Sequence, residues 1–126
     1  MYKGDDIEER LIDFAVRIIL VCDNLEKSQT SAKHIRNQLV RSGTSPAPNY
    51  GEARSAESPK DFVHKLKIVL KELNETQIWL KIVVRAKLIK GSLLDDLLDE
   101  CNQLCRIINS SITTSKRKIV ESQIEN

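Results

Sequence analysis

Aromatic side chains are scarce in this chain of 126 residues: Tyr2, Phe14, Tyr50, Phe62 and Trp79 are all it has. A surface that stacks nucleobases on rings interleaved with cations is therefore not written into it. Glycines number four and prolines three, gathered in the middle and near Gly91. No apolar stretch reaches the roughly 18 residues that a membrane span needs. The opening "MYKGDDIEER" is acidic and has no apolar run, so no secretory leader is expected. Cysteines are three, an odd number, which with no leader predicts a reducing cytoplasm. On that expectation the glycosylation patterns at Asn74 and Asn109 carry no meaning. Strand alternation and internal repeats are missing, as are a phosphate-binding glycine loop, a nucleophile elbow and zinc-ligand spacing. No catalytic residue, cofactor or metal site is expected, and the chain does not read as an enzyme.

What remains is a helix-forming composition rich in Leu, Ile, Val, Lys and Glu, in a chain long enough for one domain with a real core. The net charge of +2 hides an uneven distribution. Residues 5–26 carry seven acids and two bases. Residues 27–42 carry Lys27, Lys33, Arg36 and Arg41 and no acid. Residues 59–90 carry eight bases and three acids. Acidic and basic helices favour each other in a bundle, or leave a basic face outward.

The apolar periodicity predicts four helices. The first spans Asp6 to Leu25, with Ile7, Leu11, Phe14, Ile18, Cys22 and Leu25 on one face. Ile12, Val16 and Ile19 form a second strip on it, which calls for a second neighbour. The second spans Thr30 to Ser42 and buries Ala32, Ile35 and Leu39. Gly43 is placed to cap it, and Pro46 and Pro48 to bar helix beyond, although a turn around Asn49–Arg54 is allowed. The third opens on Ser58 as N-cap, Pro59 and Asp61, and is expected to reach Lys90, where Gly91 ends it. Ser92 and Asp95 repeat the cap signature for the fourth, with Leu94, Leu97, Cys101, Leu104, Ile108 and Ile112 as its stripe. Short links close such helices into an all-α, antiparallel up-down-up-down four-helix bundle. The middle link is long enough for a crossover instead. Residues 1–115 form the bundle domain, and 116–126 are expected as a frayed polar tail.

The third helix carries more than a core face. Phe62, Leu66, Val69, Leu73, Leu80, Val83 and Val84 share the inward sector, extended by Val63, Leu70 and Leu88. Lys60, Lys67, Lys71 and Arg85 form a basic strip on the far side. Asp61, Ile68, Glu72, Glu75 and Trp79 form another, with Ile78 and Ile82 between the two. A single bundle buries one sector of each helix, so this second set predicts an oligomer interface.

Weaker constellations dissolve on inspection. Asp61 and His64 lie one turn apart, but a carboxylate-bridged metal bundle needs a second such pair, and His34 has Ser31 in that place. Cys101 and Cys105 could join Cys22 as ligands, yet they lie on or beside the apolar stripe and read as core. Glu72 and Glu75 have no pocket, and Lys71 with Glu75 reads as an ordinary helix pair.

Several fixed elements in order resemble a known family: "RSGTS" at Arg41–Ser45, "NYGEA" at Asn49–Ala53, "AES" at Ala56–Ser58, "DF" at Asp61–Phe62, and the spaced "KE", "ET" and "WL" of Lys71–Leu80. Together they resemble the bacterial 23S ribosomal RNA intervening-sequence (S23) four-helix-bundle protein family. Pro48 stands where that family has a small residue, and Ile78 where an aromatic is common. The resemblance implies a ring-like homopentamer. It also implies kinship with the accessory variability proteins of diversity-generating retroelements, basic barrels that bind a reverse transcriptase and nucleic acid.

Two functions are then expected. One is binding of structured or ribosomal RNA through Lys33, Arg36 and Arg41 on the second helix and Lys60, Lys67, Lys71, Lys81 and Arg85 on the third. Repetition around a ring would multiply a modest patch. The alternative is a homo-oligomeric scaffold that docks a protein such as a reverse transcriptase.

Overall fold

The computed structural model describes residues 3–25 and 30–125; Tyr2 and Lys27, named above, lie outside them. The order is α1 (Gly4–Asp23), α2 (Thr30–Thr44), α3 (Pro46–Arg54), α4 (Pro59–Arg85), a 3₁₀ turn over Gly91–Leu93, and α5 (Asp95–Glu125). No strand occurs among the described residues. The fold is an antiparallel four-helix bundle in which α2 and α3 together make one corner. Contacts run α1 to α2, α2 and α3 to α4, α4 to α5, and α5 back to α1, leaving α1 and α4 as the diagonal pair. Neighbours in sequence are therefore neighbours in space, and there is no crossover.

Most of each inward stripe is buried as its periodicity requires, whereas Ile35, Phe62, Leu70, Val84 and Leu88, also expected inward, are only half-buried. Leu11, Phe14, Ile18, Leu39, Leu66, Val69, Leu73, Leu80, Cys101, Leu104 and Ile108 expose nothing, and Ile7, Cys22, Leu25, Leu94, Leu97 and Ile112 expose little. Burial of each large apolar side chain contributes about 2 kcal/mol. One buried polar pair crosses the core edge: Thr76 donates to Ser42 Oγ at 2.9 Å.

The prolines do not stop the second corner. α2 and α3 abut with only Ser45 between them, and Ser45 itself has helical backbone angles, φ −69° and ψ −37°. Its amide donates to the Arg41 carbonyl at 3.2 Å, and its carbonyl accepts from the Asn49 amide at 3.2 Å. Pro46 takes the first position of α3, where a missing amide proton costs least. Packing against α1 and α4 holds the two pieces in line, with Pro46, Tyr50 and Ala53 buried. Gly43 is accordingly no left-handed cap. It lies within α2, and a Cβ there would fall 2.7 Å from both Ile18 Cγ1 and Cγ2. Glycine lets α1 and α2 approach closely.

The entry of α4 follows its sequence signature. Ser58 Oγ accepts from the Asp61 amide at 3.1 Å, and Asp61 Oδ2 accepts from the Glu57 amide at 3.3 Å. Its exit does not. The helix ends at Arg85, short of Lys90, because Lys87 adopts the left-handed conformation at φ 58°. The Leu88 amide then bonds the Val83 carbonyl and the Lys87 amide the Val84 carbonyl, each at 3.1 Å. This is a Schellman closure with lysine where glycine is favoured. Lys87→Gly is expected to raise the unfolding free energy by about 0.5–1 kcal/mol, measured by urea denaturation. A loss of stability would mean that the lysine stem contributes packing greater than the backbone strain.

Two further boundaries differ from expectation. Ser92 falls inside the 3₁₀ turn rather than capping α5, and the Leu94 carbonyl accepts the first bond of α5, from the Leu98 amide at 2.8 Å. The stretch expected to fray from residue 116 is helix through Glu125. Polar residues suffice there because this end of α5 lies beside the first turns of α4, with Ile119 half-buried against the core.

A candidate nucleic-acid interface on α4

Helix α4 has α2 and α3 on one flank, α5 on the other, and solvent between. Lys60, Lys67, Lys71, Lys81 and Arg85 are all exposed on it, and among the described residues none of them is in an ion pair. The antiparallel course of α5 adds a cation that sequence spacing does not reveal. Contact with the Lys67 side chain, and its charge, push the Lys116 ammonium below the ordinary lysine range. Neither lysine is in an ion pair among the described residues, so the two add to the positive potential of this face.

The basic residues expected on α2 are placed differently. Lys33 is exposed, but Arg41 donates to Glu72 at 3.2 Å and to Glu75. Its charge is spent inside the chain, and Glu75 pairs with Arg41 rather than with Lys71. Arg36 is half-buried, and its buried Nη1 has no hydrogen-bond acceptor among the described residues. The backbone carbonyl of Arg36 accepts from Cys22 Sγ at 3.7 Å. Burial, with the Asp23 charge beside it, pushes that thiol up to about 11, offset in part by Arg36.

The strip expected to meet another subunit is largely occupied within the chain. Glu72 and Glu75 hold Arg41, and Trp79 sits edge-to-face on His34 with ring centroids 6.0 Å apart. Asp61 caps its own helix and lies 4.0 Å from Lys65. Ile68 is half-buried. The reason is geometric: each helix of a square bundle has two flanking neighbours as well as a core, so more than one sector is covered. Of this set, Ile78 and Ile82 remain outward, Ile78 at 58% exposure. On the opposite side of the bundle Ile12, Val16, Ile19 and Leu20 of α1 are exposed too. The second apolar strip of α1 thus has no covering element among the described residues.

The remaining constellations stay apart. Among the described residues no three His, Cys, Asp or Glu side chains form a group able to hold a metal ion. Cys22 and Cys101 are core, and Cys105 is half-buried with its Sγ 3.5 Å from Asn74 Oδ1. Interaction between the two α5 cysteines raises Cys101, which burial raises further, and lowers Cys105. No helix among the described residues is long and apolar enough to cross a membrane.

Fold and surface together define an all-α bundle with a cationic outer helix. The chain belongs to the 23S rRNA-intervening sequence protein family, whose sequence model matches residues 5–110. It is similar to the crystal structure of a protein of unknown function from the S23 ribosomal protein family of Bacteroides thetaiotaomicron, with 32% identity and a TM-score of 0.78. That likeness covers 84% of this chain and 97% of the other. Curated proteins include no match.

Proposed function

We propose that this protein is a non-enzymatic bundle that binds structured RNA through the outer face of α4. The observation carrying this reading is the set of exposed cations Lys60, Lys67, Lys71 and Arg85, outside any described ion pair and joined by Lys116 beside Lys67. Ammonium and guanidinium groups so placed bind phosphates and release counterions, whatever the base sequence. With no aromatic on that strip, recognition rests on backbone shape rather than stacking. The family's association with ribosomal RNA insertions supports the choice of RNA.

Self-assembly belongs to the same reading. Exposed Ile12, Val16, Ile19 and Leu20 on α1, with Ile78 and Ile82 on α4, supply apolar surface for contact between copies, and a ring would multiply the α4 patch. The same apolar surface favours the second reading, a scaffold that docks a protein such as a reverse transcriptase.

The expected result is salt-sensitive binding to a folded ribosomal RNA fragment in a filter or mobility assay. Lys67→Glu, Lys71→Glu and Arg85→Glu combined weaken it by about tenfold or more. The slope of log affinity against log salt becomes shallower by roughly one for each phosphate that is no longer neutralised. Binding unchanged at high salt, or unaffected by the triple reversal, overturns the mechanism. Capture of a specific protein with no RNA shift favours the scaffold. Light scattering that shows a monomer at micromolar concentration removes self-assembly.

A further inference from the structure

Among the described residues, the bundle lacks one corner at its α5 end. Antiparallel to α5, α1 places Arg10 against Glu100 and Gln103, and Ile7 beside Ile107 and Ser110. It begins at Gly4, whereas α5 continues to Glu125. Beyond Ser110 the flank of α5 that α1 covers elsewhere is open among the described residues. Two joined hollows of about 780 and 380 Å³ lie there, sharing Phe62 and Ser115. Phe62, Ile107 and Ile119 give them an apolar floor, and the hydroxyls of Ser110, Ser111, Thr114 and Ser115 make a low wall. Small side chains let a second backbone approach closely. The rim is cationic: Lys60, Arg106 and Lys118 are exposed and in no described ion pair, against Glu57 as the lone lining acid. Arg54, also on the rim, is held by Asp5 and Glu8 of α1.

We propose that this groove is a docking site for an acidic amphipathic helix of a partner protein, laid along α5 where an extension of α1 would run. Three features select that occupant. The groove follows α5 from Ser110 to Gln123, about 21 Å at 1.5 Å per residue, which is a helix of about four turns. Its apolar floor, Phe62 of α4 with Ile107 and Ile119 of α5, suits the apolar face of an amphipathic helix. The rim then meets the flanks of that helix, and its charge favours Glu and Asp and opposes Lys and Arg. The pairing of Arg54 with Asp5 and Glu8 displays the same complementarity within the chain. The groove shares Lys60 with the α4 strip, but Arg106, Ser115, Lys118 and Ile119 do not belong to that strip, and the inference rests on them.

The test uses a fluorescein-labelled peptide of about 14 residues, leucine at the i, i+3, i+4, i+7 positions and glutamate elsewhere, with a lysine-substituted twin. Anisotropy titration against the full chain is expected to show binding of the glutamate peptide and about tenfold weaker binding of the lysine one. Lys118→Glu, an exposed change that leaves the fold intact, weakens the glutamate peptide at least about fivefold and strengthens its twin. Ile119→Glu abolishes both, with circular dichroism confirming that the helices remain. Amide shifts on peptide addition fall on Ser110–Ser115 and Ser122. The proposal is overturned if neither peptide binds at millimolar concentration, or if both bind equally. It is also overturned if Lys118→Glu has no effect, if the amide shifts lie outside the groove, or if only an RNA oligonucleotide protects these amides.

Discussion

Gly43→Ala lowers the unfolding free energy by about 1–3 kcal/mol. At an exposed helix position the same change would stabilise by roughly 1 kcal/mol, because alanine is the better helix former. Here the added carbon falls 2.7 Å from two carbons of Ile18. Ile18 is fully buried in α1 and branched at Cβ, so in a helix it has one strongly preferred rotamer and cannot swing aside. The helices must part instead, and the buried Ser42–Thr76 hydrogen bond one residue away must move with them. Urea unfolding followed by Trp79 fluorescence reads the loss. Ile18→Ala in the Gly43→Ala background should cost less than Ile18→Ala alone, because each change makes room for the other. An alanine variant more stable than the parent would refute the close approach of α1 and α2.

Leu73→Ala is expected to cost more, about 2–5 kcal/mol. Leu73 is fully buried midway along α4, and its carbonyl accepts from Cys101 Sγ of α5 at 3.4 Å. Leu73 belongs to the continuous buried core, so the vacated space cannot collapse cheaply. Ile78→Ala, five residues on along the same helix, provides the control and should change stability by under about 0.5 kcal/mol in the monomer, since Ile78 points outward. Equal losses for the two variants would contradict the inward and outward faces assigned to α4.

Much of this architecture is legible in sequence because it depends on local periodicity. The stripe from Ile7 to Leu25 and the stripe from Leu94 to Ile112 are buried as their spacing requires. Ser58 caps α4 because a cap needs one side chain and an amide three residues away. The misplaced boundaries all involve a residue read by its intrinsic preference and overruled by packing. Pro46 and Pro48 sit inside a helical corner because α1 and α4 grip both sides of the break. Lys87, not Gly91, turns the chain, because Leu88 must fold back toward Val83.

The candidate surface divides in the same way. Lys60, Lys67, Lys71 and Arg85 are recognisable as one strip because they share a helix. Lys116 is not, because nothing in its neighbourhood of the chain announces that α5 brings it to Lys67. Glu72, Glu75 and Trp79 read as outward, yet Arg41 and His34 claim them from the second corner.

By itself, then, the sequence determined four amphipathic helical corners, their core residues and the cationic edge of α4, since each follows from spacing along one helix. Only the tertiary structure decided which charges are cancelled, which apolar strips stay uncovered, and that among the described residues α5 outruns α1 to leave an open groove. Those outcomes depend on the register between helices, and register is set by side chains meeting across the bundle rather than along it.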